Sequence, residues 1–259
     1  NRSAGRDHIW SFPHDEGACI APIEISSSIF VTHWGRLDQP PRNHTTIAGG
    51  HGWNIPPYVK RMYGSRQCFD PRKDVLLPIY KSRPFVETSP FLTGRQPRRT
   101  RLFNFVGNAL RQPAAYSMGL RQQLYSLFWQ HPDNCAKRNV DGCIFVSGHT
   151  RSFIDELQRS VFCGVLPGNG WGHIEEPILQ GCIPVLVMPN IAVQMEGLLN
   201  ISRFSIRVER SELPHLIDML RAIPPARVGE MQAELAKVWE RFTYSSLFKR
   251  ELRHQQHAA

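Results

Sequence analysis

From residue 101 onward, apolar runs of strand length alternate with segments of helical period, and few architectures accommodate such an order. Strands are expected near 102–106, 143–147, 161–166, 183–187 and 204–208. Helices are expected near 116–130, 150–159, 173–180, 212–222 and 226–243. The helix assignments rest on spacing: Phe153, Ile154 and Leu157 share one face while Asp155, Glu156 and Arg159 take the other. In the segment from Ser211 to Ile223, Ser211 is placed to cap the helix, and Leu213, Leu216, Ile217 and Leu220 form a buried stripe. Pro224 and Pro225 then end that helix. Strand and helix in alternation predict an α/β fold, a parallel sheet covered by helices, with Val185 and Val187 in a buried strand.

Residues 1 to about 90 have a different texture, rich in Pro, Gly, His and aromatics. They hold only short strand candidates, at 28–33 and 74–78. With 259 residues and 41% hydrophobic content, the chain can build one large domain or two modest ones. The change of rhythm divides it into an N-terminal part (1–95), a second part (101–245) and a basic tail (246–259). The stretch SPFLTGRQPRRT, 89–100, joins the two parts and reads as a solvated basic linker. Lys and Arg outnumber Asp and Glu by 31 to 22, which favours anionic partners such as a phosphorylated ligand, an anionic glycan or nucleic acid. Nucleic acid is set aside because the basic residues are not interleaved with a stacking platform.

No apolar run reaches the roughly 20 residues that cross a bilayer, and no charged-then-apolar leader is present. The chain begins at Asn1 rather than Met, so a fragment is expected, with any membrane anchor lying upstream. Six cysteines show no CxxC or Cys/His ligand spacing, and their even number permits disulfides. Cys163 and Cys182 are expected near adjacent strands, as a bridge or as buried thiols. Sequons at Asn1, Asn43 and Asn200 fit the lumen of the secretory pathway.

In an open α/β sheet, ligands collect at the carboxyl ends of the strands, where loops lead into helix N-termini. Two stretches have that form. In FVGNALR, 105–111, an apolar strand runs into Gly107 and Asn108, with Arg111 behind. In CGVLPGNGWGHIEEPILQGC, 163–182, a strand leads into Gly168, Gly170 and Gly172, then His173 and a helix start carrying Glu175 and Glu176. Glycines admit phosphate close to the backbone, and a first-turn carboxylate can accept hydrogen bonds from vicinal ribose hydroxyls. First-turn Glu is also favoured by the helix dipole alone. Two carboxylates adjacent on a helix point about 100° apart and do not flank one glycosidic bond, which argues against a paired-acid hydrolase. The serine-hydrolase elbow, the P-loop and the dinucleotide fingerprint are absent. For a general base, Asp7 and His8 of the GRDH segment are the candidates, with Arg6 to orient a sugar or anion.

Five blocks, in order along the chain, resemble the exostosin family of glycosyltransferases: RSAGRDHIW (2–10), CFDPRKDVLLP (68–78), LFNFVG (102–107), LQRSVFCGVLPGNGW (157–171) and EEPILQGCIPVLV (175–187). The resemblance implies a glycosyltransferase B type fold of two Rossmann-like halves, of which this chain's N-terminal half is incomplete. It implies inverting, metal-independent transfer from a UDP-sugar to a glycan acceptor, no further cofactor, and a Golgi type II membrane protein. It also assigns the donor ribose to Glu176, with Glu175 as the second candidate. The sequence has no Asp-x-Asp to hold a cation on a diphosphate, so Arg111 and the Gly-rich loop are the candidates to stabilise the leaving group. It departs from the family pattern at His173, where many members carry Arg, and at Pro177, where they carry Ala. These departures keep open a second function, a catalytically impaired glycan- or nucleotide-binding relative.

Overall fold

The computed structural model describes residues 3–37, 68–110, 112, 116–130, 143–146, 148–168, 170 and 172–244. Its ten strands among the described residues are β1 (Ile9–Phe12), β2 (Ile29–Thr32), β3 (Gly35–Arg36), β4 (Val75–Leu76), β5 (Arg101–Val106), β6 (Cys143–Val146), β7 (Ser160–Val165), β8 (Ile183–Leu186), β9 (Ile191–Ala192) and β10 (Ile206–Arg207). Helices α1 (Arg83–Glu87), α2 (Pro90–Thr93), α3 (Leu120–Gln130), α4 (Phe153–Arg159), α5 (Glu175–Leu179), α6 (Leu216–Arg221) and α7 (Pro225–Val238) surround them.

Two parallel sheets organise the chain. The larger has the order β10-β8-β7-β5-β6, and the smaller β1-β2-β4. In the larger sheet Phe103 pairs with Phe162 and Val185 with Gly164, all in parallel register. Phe103, Phe162, Ile183, Val185 and Val187 are fully buried. A parallel strand covered on both faces has no wet side, so β8 reads as an unbroken apolar run rather than an alternation. Each such side chain contributes about 2 kcal/mol on burial.

The halves share a core. Cys19, Trp34 and Cys68 belong to the same apolar cluster as Phe103, Leu124 and Ile178. A short antiparallel pair, β3 with β9, also joins them, and Gln194 Nε2 donates to the His33 carbonyl at 2.7 Å. Neither strand of that pair is long enough to leave a periodic trace in the sequence.

Several sequence expectations are corrected. The 212–222 helix begins as a 3-10 turn at Arg210–His215, capped by Glu209 and Glu212 in a capping box, not by Ser211. Its stripe of Leu213, Leu216, Ile217 and Leu220 is buried as expected. The basic stretch ahead of β5 is no simple linker. Arg99 is largely withdrawn from solvent, and its guanidinium donates to the carbonyls of Leu157, Gln158, Ser160 and Gln180 at the ends of α4 and α5. It satisfies acceptors that helix ends leave over, and burial lowers its pKa to about 10. Arg101 pairs with Glu156. Cys163 and Cys182 form a disulfide with a Cα separation of 5.8 Å, and Cys19 and Cys68 form another. The basic tail lies outside the described residues.

Candidate functional site

The carboxyl ends of β5 and β7 open onto a cleft of about 510 Å³. Gly107, Asn108, Gly168, Gly170, His173 and Glu176, all anticipated in the sequence, line it. Arg111 lies outside the described residues. Gly172 does not line this cleft; a Cβ there would stand 2.8 Å from Val165 Cγ1, so its bareness serves packing beneath the loop.

The two adjacent glutamates have separate tasks. Glu176 faces the cleft, its Oε1 accepting from Lys81 Nζ at 2.8 Å and standing 3.2 Å from His173 Nδ1. Burial opposes its charge, but His173 and Lys81 outweigh that and hold its pKa down to about 2. The carboxylate is therefore ionised throughout the physiological range. Glu175 is fully buried and turned away; its Oε1 accepts from the Ile79 backbone N–H at 2.8 Å. Desolvation raises its pKa. It is an anchor for the segment carrying Lys81, not a ligand-facing acid.

Lys81 is nearly buried and also approaches His173 Nδ1 at 2.9 Å. Nδ1 can accept from Lys81 or donate to Glu176, not both, so the imidazole tautomer decides which bond forms. His173 holds a left-handed φ of 53°. A non-glycine residue seldom adopts that conformation, and it persists where surrounding contacts over-determine it. Pro177, the third residue of α5, falls in the first turn, where its missing N–H has no helical partner to lose.

Arg121 was not singled out by the sequence. It sits at the start of α3, whose apolar spacing reads as sheet covering, and nothing in that spacing marks a polar residue as inward-facing. The preceding residues Ser117 and Met118 take left-handed conformations, and that break turns Arg121 into the cleft wall. Its Nη1 donates to Tyr116 Oη at 3.0 Å and the Asn108 carbonyl at 3.3 Å; Nη2 donates to the Leu166 carbonyl at 3.1 Å. A Cβ on Gly168 would stand 3.0 Å from Nη2, so glycine there makes room for the guanidinium. A fixed, largely desolvated cation beside bare backbone suits an anionic ligand.

Asp15 closes the cleft from the N-terminal half. It follows β1, in a turn closed by Gly17 N–H donating to the His14 carbonyl at 2.7 Å. Gly170 lies so close that a Cβ there would overlap the Asp15 carbonyl at 1.7 Å. Asp7 and His8 do not join this site. They are exposed at the amino end of β1, whereas the cleft lies beyond its carboxyl end.

Residues 1–223 match the Exostosin GT47 domain. Over 254 residues the chain is 25% identical to a "Probable glucuronosyltransferase" of Oryza sativa subsp. japonica, covering 91% of this chain and 51% of that one. It is 26% identical to the "Probable beta-1,4-xylosyltransferase IRX10L" of Arabidopsis thaliana, covering 91% and 52%. The chain thus spans about half the length of the curated relatives it matches. Among solved structures it is similar to TarM of S. aureus at 9% identity and a TM-score of 0.48, over 87% of this chain and 50% of that one. With one domain match running through most of its length and through both sheets, the chain belongs to the Exostosin GT47 domain family.

Proposed function

We propose that the chain is the transferase region of a glycosyltransferase that moves a sugar from a UDP-sugar to a glycan acceptor. The observation that carries this reading is the pairing, across one cleft, of an ionised carboxylate at Glu176 with a fixed cation at Arg121. Glu176 accepts from the donor's ribose hydroxyls. Arg121 faces the diphosphate beside the bare backbone of Gly168 and Gly170. A GT-B arrangement of two Rossmann-like halves, Golgi residence and type II topology are parts of the same proposal.

The transfer is an inverting displacement. An acceptor hydroxyl attacks the anomeric carbon from the face opposite the diphosphate; the new C–O bond forms as the bond to phosphate oxygen breaks. The hydroxyl proton passes to Asp15, which replaces Asp7 and His8 as the candidate base because it alone of the three lines the cleft. The electron pair leaves with the diphosphate, whose charge Arg121 stabilises without a bound metal ion. The departure at His173 does not by itself imply impairment, since Arg121 lines the same cleft and supplies a cation there. The relatives' names direct the donor screen to UDP-glucuronic acid and UDP-xylose first. Release of UDP that depends on acceptor supports the transferase; affinity for UDP with no turnover for any donor and acceptor assigns the binding relative instead.

A further inference from the structure

Past Arg101 at its start, β5 carries one polar residue, Asn104. Its neighbours Phe103 and Phe105 turn toward α3: the Phe103 ring packs against Phe128, and the Arg121 guanidinium lies over the Phe105 ring. Alternation along the strand puts Asn104 on the opposite face, toward α4 and α5. There it is 1% exposed, and among the described residues neither its Oδ1 nor its Nδ2 has a hydrogen-bond partner. A buried amide left unbonded is costly where a leucine of similar size is not, so this side chain points to something that it binds. It lines a chamber of about 40 Å³ at the first turn of α5, walled by Phe153, Leu157 and Pro177. Glu176 and His173 line both this chamber and the larger cleft, as do Val106, Arg121 and Phe153, so the two spaces adjoin.

We infer that Asn104 is a positioning residue for Glu176, acting through ordered water held in this chamber. The inference rests on the donor-site reading of Glu176 given above. A buried water needs about 10–15 Å³ of such space and two to four polar partners, so the chamber admits roughly two or three. Asn104 supplies both a donor and an acceptor, and the Glu176 carboxylate takes any donor offered to it. A water that accepts from Asn104 Nδ2 gives its own hydrogen to that carboxylate, and a second water donates to Asn104 Oδ1. Such a bridge is nearly as favourable as a direct hydrogen bond. Glu176 Oε1 already accepts from Lys81 Nζ at 2.8 Å. The carboxylate thus has two supports, Lys81 from the N-terminal half and Asn104 from the sheet, and together they keep it turned to the cleft.

The test uses the full 259-residue chain. Crystal structures with and without UDP locate water in the wild type, and calorimetry measures UDP affinity for wild type, Asn104→Leu and Asn104→Ser. Affinity is measured again for Asn104→Leu in a Glu176→Ala background. The expected structures hold water within hydrogen-bond reach of the Asn104 amide and linked to the Glu176 carboxylate, in both states. Asn104→Leu should keep native circular dichroism and lose about tenfold in UDP affinity. Asn104→Ser, which retains a donor and an acceptor, should stay within about threefold of wild type. With the carboxylate removed by Glu176→Ala, Asn104→Leu should cost nothing further. Unchanged affinity in Asn104→Leu overturns the role, and so does an equal loss in the Glu176→Ala background. A dry chamber, or bound UDP that touches Asn104 itself, overturns it without recourse to Asn104→Leu, should that variant fail to fold. A wild type that binds UDP over a dry chamber loses only the role of Asn104. A wild type that holds the bridge and binds no UDP removes the donor reading of Glu176, and the positioning role falls with it.

Discussion

Lys81 stands 2.8 Å from Glu176 Oε1, joining a residue of the N-terminal half to the first turn of α5. Because both side chains are mostly withdrawn from solvent, removing either leaves the other's charge poorly compensated. Glu176→Gln is therefore expected to lower UDP affinity about tenfold and also to cost some stability, rather than acting as a neutral surface change. In a double-mutant cycle with Lys81→Gln, the two losses should be non-additive by about 1 kcal/mol or more. Additive effects on both calorimetric affinity and denaturation midpoint would show that the pair does not act as a unit.

Arg121 should tolerate no exchange for lysine. Its two Nη atoms reach three acceptors in different directions, and an ammonium cannot reproduce that planar fork. Arg121→Lys is expected to weaken UDP binding by about tenfold or more while circular dichroism stays native. Gly168→Ala should weaken UDP binding in the same sense through the 3.0 Å approach to Nη2. Full affinity in both variants would remove the guanidinium from the donor site.

The sequence made the larger sheet legible because covered parallel strands appear as unbroken apolar runs, as in Ile183–Leu186. It exposed the Gly-rich loop because close approach of backbone demands bare residues. Spacing alone did not separate Glu175 from Glu176, since both suit a first helical turn; the family resemblance favoured Glu176, and in the structure the partners Ile79 and Lys81, some 95 positions away, distinguish the two. Arg121 and Asp15 stayed hidden for a similar reason: the first depends on a local left-handed break, the second on the meeting of two halves. Long-range pairing leaves no periodicity to read.

The Cys163–Cys182 bridge closes a loop that contains the Gly-rich segment and α5, with a sequence separation of 19 residues. Constraining an unfolded loop of that size contributes about 3 kcal/mol in the chain-entropy account. The double variant Cys163→Ala/Cys182→Ala is expected to unfold at lower denaturant concentration by about that free energy. UDP affinity should fall less, because Glu176 and Arg121 are also held by Lys81 and by the carbonyls of Asn108 and Leu166. An unchanged denaturation midpoint would mean that the bridge adds nothing to the folded state.

His33 gives stability a pH dependence whose sign is fixed. Burial is the main cause that lowers its pKa from 6.5 to about 4, with Asp15 opposing and His173 and His14 reinforcing the shift. Between those values the unfolded chain binds a proton that the folded chain refuses, so stability rises with pH across the window and falls as pH drops through it. Glu175 acts in the opposite direction, because its raised pKa lets the folded state keep a proton that the unfolded state releases. Glu176, lowered from 4.5 to about 2, acts only on the more acid side. Melting temperatures at about pH 7 and about pH 5 therefore isolate the histidine when wild type is compared with His33→Gln. Wild type should lose more stability than His33→Gln between the two conditions. An equal loss in both proteins would show that His33 titrates as it does in the unfolded chain, and would place it in contact with solvent rather than in its buried position between β2 and β3.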